Sequence, residues 1–204
     1  MKKYGFILGA AALIVVLSFR FFSTEDIVRN YPSAGTDIIA FGDSLVQGVG
    51  ATAGNDFVSL LSREVGQPIV NFGVSGNTTA DGLARIGELD RYRPKIVILL
   101  LGGNDHLRKV PETETFANLA ALIENIQARG AVVLLLGIRG SLLGDKFEEE
   151  FERLHEEYQT AYVSDVLSGL FGRAEYMSDP IHPNDAGYAK IAERIAPVLE
   201  LLLK

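Results

Sequence analysis

Four short segments of this sequence gather glycine and small polar residues in a way that suits acyl transfer: "GDSLVQG" (42–48), "GVSGNTT" (73–79), "GGNDHLR" (102–108) and "SDPIHPNDAGY" (178–188). Ser44 in the first is the candidate nucleophile, and a serine hydroxyl attacks at neutral pH only when a base removes its proton. Three histidines are available. His155 lies in the charged stretch "FERLHEEYQ", which reads as a solvated helix face. His106 follows Asn104-Asp105, with nothing beside it in sequence to orient the ring. His182 differs, because Pro180 and Pro183 keep its segment out of a helix. Asp179, three residues earlier, can reach the Nδ1 proton of His182. That bond would fix the tautomer and leave Nε2 to take the Ser44 proton. Asn184 is then the expected cap of the last helix. Taken alone, "DPIHPN" suits a proline-rich lead-in to a helix equally well.

Attack on an acyl carbon also requires donors aimed at the oxygen that becomes charged. Gly76 in "VSGN" offers an unobstructed backbone N–H, Asn104 in "GGND" a side-chain amide, and Ser44 its own N–H. Singly, Gly76 also fits an ordinary turn and Asn104 a loop residue bonding its own backbone.

These residues must be held by a scaffold, and the hydrophobic pattern supplies one. Near-continuous apolar runs at 37–41, 68–73, 95–101 and 131–137, with a weaker one at 160–167, predict strands buried on both faces. Helical patterns at 55–65, 79–90, 112–129, 147–158 and 184–203 separate or follow them. Strand–helix alternation predicts a three-layer α/β domain with a five-stranded parallel sheet over 36–204. In such sheets ligands bind at the carboxyl ends of the strands, near the point where the order reverses. Three of the four candidate segments follow the first three runs directly, as that rule requires. The fourth run leads into "GIRGSLLGDKFEEEF".

Composition removes several function classes. A net charge of −7 argues against a nucleic-acid partner. The absence of cysteine excludes thiol catalysis, a disulfide framework and a Cys-based zinc site. Gly48, Gly50 and Gly54 approach a dinucleotide fingerprint, but the spacing is too long and no acidic residue closes the second strand. The N-terminal "MKKYGFILGAAALIVVLSFRFF" carries two lysines followed by sixteen uncharged residues, Tyr4 to Phe19. Extended through Phe22 as a helix, the segment reaches roughly 28 Å, against a hydrocarbon core of about 30 Å. No small-residue pair for cleavage follows it. Residues 1–22 are therefore read as a signal anchor, with 23–35 a polar linker and the catalytic domain exported. A cleaved signal peptide, giving a periplasmic or secreted protein, is the alternative.

The four segments, in this order, resemble the sequence blocks of the SGNH (GDSL-type) hydrolase family. "SGNTTADGLARI" and "LGGNDHLR" are most similar to its bacterial thioesterase, lysophospholipase and arylesterase subgroup. The resemblance implies a flavodoxin-like sheet and a Ser44–His182–Asp179 triad. It implies an oxyanion hole from Ser44, Gly76 and Asn104, no metal or other cofactor, and hydrolysis of acyl esters or thioesters through an acyl-enzyme. The implied partners are a small acyl-ester or lipid substrate, and a membrane through the N-terminal segment. Two other readings are an O-acetylesterase of cell-envelope sugars and an inactive membrane-tethered binding module, which would have no need of all five residues.

Overall fold

In the computed structural model, residues 28–138 and 146–204 are described. The expected anchor (1–22), the first part of the linker and most of "GIRGSLLGD" lie outside them. The runs of β-branched and leucine residues form five parallel strands: β1 (Asp37–Gly42), β2 (Ile69–Gly73), β3 (Pro94–Leu100), β4 (Val132–Leu136) and β5 (Ala161–Val163). Their order is β2-β1-β3-β4-β5, so the α/β three-layer architecture is the expected one. The middle strands β1, β3 and β4 are buried almost throughout, while the edge strand β2 is only half-buried.

Helices cover both faces, because each buried strand face needs an apolar partner. α1 (Ser44–Gln47) is a single turn, followed by α2 (Phe57–Glu64), α3 (Thr79–Arg85), α4 (Gly103–Leu107), α5 (Glu112–Ala128), α6 (Lys146–Tyr158) and α7 (Asp185–Leu203). On one face α2 packs against α7, and on the other α5 touches both α3 and α6. The buried stripe of α7, Tyr188, Ile191, Ala192, Ile195, Leu199 and Leu202, follows the three-and-four spacing that its sequence implied.

Four elements differ from expectation. The helix expected over 79–90 ends at Arg85 and continues as a 3₁₀ helix, Ile86–Arg91, where Gly87 weakens α-helical winding and Leu89 turns into the core. The last strand stops at Val163 rather than running to residue 167, because Asp165 accepts the Leu167 N–H and folds the chain into turns. The short helices α1 and α4 were not expected at all. α1 forms because Asp43 caps it, accepting the Leu45 N–H, and Gly48 ends it in a left-handed conformation.

Residues 28–36 are fastened along the amino ends of the strands. Arg29 N–H donates to Gln159 O, Asn30 Nδ2 to Gln127 O and Ala131 O, Ser33 Oγ to Gly130 O, and Thr36 N–H to Arg93 O.

At the opposite edge, β1, β2 and β3 end level, with Gly42 in register with both Gly73 and Leu100. Gly73 lies directly against α1: a Cβ there would collide with Gln47 N and Cα. Gly73→Ala should therefore displace the turn that begins at Ser44, costing about 1–3 kcal/mol of stability. Thermal unfolding will register this as a Tm lowered by several degrees, and an unchanged Tm would show that the turn yields freely.

Candidate active site

Ser44 is the first residue of α1, immediately past β1, and is 8% exposed. Its Oγ lies 3.1 Å from His182 Nε2, across 138 residues of sequence. On the other side of the ring, His182 Nδ1 is 2.7 Å from Asp179 Oδ2. The second oxygen, Oδ1, accepts the backbone N–H groups of Ile181 and His182, each at 2.8 Å. The His182 bond, then these two N–H groups, hold the Asp179 carboxyl at about 2. A carboxylate so acidic accepts rather than donates, so the Nδ1 proton belongs to the ring and Nε2 faces Ser44 as an acceptor.

The His182 segment is a tight turn. Met177 and Pro183 form an antiparallel bridge, and Ser178 N–H donates to His182 O at 2.9 Å. Asn184 caps α7 by accepting the Gly187 N–H. The loop after α1 locks this turn in place: Tyr188 Oη donates to Val49 O, while Thr52 donates through its N–H and Oγ to Asp185. Two segments far apart in sequence thus present the hydroxyl and the imidazole to each other.

The remaining candidates converge on the same edge. Gly76 has φ +82°, a left-handed conformation that glycine adopts without strain, and Arg108 Nη2 donates to its carbonyl at 2.7 Å. Asn104 lies in α4, where its Nδ2 donates to Asn77 O at 3.0 Å and to Asp43 Oδ2 at 3.3 Å. The structure therefore brings Ser44, His182 and Asp179 together and places the Gly76 and Asn104 loops beside one another. His106 is not among them: its ring meets Phe147 edge-on at 5.4 Å. His155 is not the solvated residue expected, since it is half-buried, stacks on Tyr162 at 5.1 Å and holds Nδ1 2.7 Å from Thr160 O.

Two buried carboxylates escaped sequence reasoning. Asp105 is fully buried and accepts both the N–H and the hydroxyl of Thr79, tying the third strand exit to the start of α3. Asp43 is 3% exposed, beside the nucleophile. The only signal for Asp43 was its place one residue before a turn, as a helix cap. Nothing marked Asp105 as buried.

Burial pushes the Asp43 carboxyl up to about 6, with Asp105 adding to the rise and the Leu45 N–H and His182 opposing it. Between roughly pH 4 and 6 the folded chain then keeps a proton that the unfolded chain has released, so stability falls as pH rises through that window. A shift of about two units corresponds to about 3 kcal/mol. Asp179 acts with the opposite sign and at lower pH, its contribution being lost as pH falls from about 4 towards 2. Urea unfolding of wild type and Asp43→Asn should show their difference moving against wild type by up to about 3 kcal/mol between pH 4 and 7. A difference flat in pH would mean that Asp43 ionises normally.

The GDSL-like Lipase/Acylhydrolase family model matches residues 40–190. Esterase TesA of Pseudomonas aeruginosa is 33% identical over 84% of this chain and 91% of its own length. Thioesterase 1/protease 1/lysophospholipase L1 of Escherichia coli K12 is 28% identical over 84% of this chain and 86% of its own. Among solved structures, AlinE4, an SGNH-hydrolase family esterase, is 34% identical and superposes with a TM-score of 0.63, covering 84% of this chain and 100% of that one. The matched span takes in the serine turn, both glycine-rich loops and the histidine turn, and the chain belongs to the GDSL-like lipase/acylhydrolase family.

Proposed function

We propose that this chain is a serine carboxylic ester hydrolase that cleaves acyl esters or thioesters through an acyl-enzyme. The observation that carries the reading is the relay Ser44 Oγ–His182 Nε2–His182 Nδ1–Asp179, with contacts of 3.1 and 2.7 Å. The esterase and thioesterase names of its relatives support the substrate class.

In the proposed mechanism Ser44 Oγ attacks the acyl carbon as His182 Nε2 takes its proton. The ionised Asp179 stabilises the imidazolium without itself becoming protonated. The oxyanion is met by the N–H groups of Ser44 and Gly76 and by the Asn104 amide. At 3.3 Å, the Asn104 contact to Asp43 is the weaker of the two the amide makes, and its hydrogen is the one turned to the oxyanion. His182 returns the proton to the leaving oxygen or sulfur. A water deprotonated by the same Nε2 then releases the acid and restores Ser44.

Ser44→Ala and His182→Ala should lower turnover of a p-nitrophenyl ester by about 10⁴-fold or more while leaving the fold intact. Asp179→Asn should cost up to about 10⁴, and Asn104→Ala about 10² to 10³ in kcat with little change in KM. A serine-directed phosphonate should label Ser44 covalently. Near-normal turnover by either alanine variant of the relay, or an unlabelled Ser44, would exclude the mechanism. A strong preference for an acetylated sugar over acyl esters of any length would move the substrate class to carbohydrate O-acetyl groups.

The proposal places the catalytic domain outside the cell membrane, held by residues 1–22, whose hydropathy and length suit a span. Among the described residues no helix is long and apolar enough to cross a membrane. The full-length protein should sediment with membranes and keep its N-terminus. Mass spectrometry finding a mature form that starts after Phe22 in the soluble exported fraction would replace the anchor with a cleaved signal.

A further inference from the structure

We infer that Arg85 is a positioning residue for the proposed oxyanion hole, acting on the Asn104 amide through Asn77. This rests on the ester hydrolase reading given above.

Arg85 is the last residue of α3, two turns after the capping residue Thr78 and therefore on the same helix face. That places its guanidinium under the loop that follows β2. Nε donates to Asn77 Oδ1 at 2.6 Å, and Nη2 donates to Gly42 O at 2.8 Å and Phe72 O at 3.0 Å. The guanidinium carbon lies over the Phe41 ring, 4.0 Å from its centroid. One side chain thus grips the end of β1 two residues before Ser44, the end of β2, and the loop that bears Gly76. Asn77 is the middle of a chain: its side chain is held by Arg85, and its carbonyl accepts Asn104 Nδ2 at 3.0 Å.

The energetics favour positioning over stabilisation. Burial is the leading influence on this guanidinium and depresses its pKa, with Glu88 and Asp81 opposing it only by longer-range attraction. Of these two carboxylates, Asp81 is already engaged by the Thr78 N–H and hydroxyl. Nη1 is buried with no hydrogen-bond partner among the described residues. A half-buried cation bound only to neutral oxygens, with one buried donor orphaned, is a poor device for holding a fold together. It is a good device for fixing three acceptors in one plane, which the rigid fork of arginine does and the single ammonium of lysine does not.

The test is a double-mutant cycle on the full-length protein with p-nitrophenyl butyrate, comparing wild type, Arg85→Lys, Asn104→Ala and the double variant. Asn77→Ala, which removes the Oδ1 acceptor and leaves the guanidinium in place, is run beside them. Arg85→Lys should lower kcat by about 10- to 100-fold with KM changed less than about 3-fold, and weaken a tetrahedral boronate inhibitor by the same factor. In the Asn104→Ala background the same change should cost less than about 3-fold, since the amide it positions is gone. Asn77→Ala should reproduce the kcat loss, which keeps the inference testable if Arg85→Lys does not fold. Additive losses, a loss confined to KM, or an Asn77→Ala variant with undiminished kcat would each overturn the inference while leaving the hydrolase reading intact. Wild-type turnover that survives Ser44→Ala would instead remove the hydrolase reading, and this inference with it.

Discussion

A strand buried on both faces has room for polar groups only where it ends. β1, β3 and β4 are apolar along almost their whole length, so every hydroxyl, amide and carboxylate near them is displaced to an edge. At the carboxyl edge the strand order reverses between β1 and β3, leaving a crevice that loops from both sides can share. Because β1, β2 and β3 end in register, the groups that follow them arrive at one level. Placement of Ser44, Gly76 and Asn104 is thus a property of the sheet before it is one of the loops.

Crowding polar groups at a partly buried edge creates a second demand, since each must find a partner or be destabilising. The loops meet it by bonding to one another. Asp105 takes both donors of Thr79, Asn104 donates to Asn77, Arg85 reaches the ends of two strands, and Asp185 fastens the loop after α1. The hydrogen bonds that satisfy the edge are also those that fix its geometry. Asp43 is the point where the two demands conflict, because satisfying it uses a hydrogen of the very amide proposed to meet an oxyanion.

The parts of this arrangement that a sequence displays are those with a local or periodic cause. Two-faced burial writes itself as unbroken apolar runs, from which β1, β3 and β4 were legible, while the half-buried β2 and the short β5 followed from less continuous runs. Proline on either side of His182 and an aspartate three residues before it are likewise local, and the turn they form brings that pair together. What stayed hidden depends on contacts across long stretches of chain. Asp105 reads as one more loop acid until α3 is packed against it. Arg85 reads as a solvated helix residue until β1 and β2 are placed under it. His155 was misjudged for the same reason, since Tyr162 lies on another element. The broken helix at Ile86 and the short β5 are smaller misses, set by a single glycine and a single aspartate.

The docking of residues 28–36 fixes where the upstream chain meets the domain. Those residues join the domain beside the starts of β3, β4 and β5, a strand length, or about 20 Å, from the end that bears Ser44. A pull transmitted along the polypeptide from upstream is therefore borne by the base of the sheet and bypasses the catalytic loops. The point where the upstream chain enters the domain and the mouth of the crevice are thus at opposite ends of the sheet, like the stalk and the mouth of a cup.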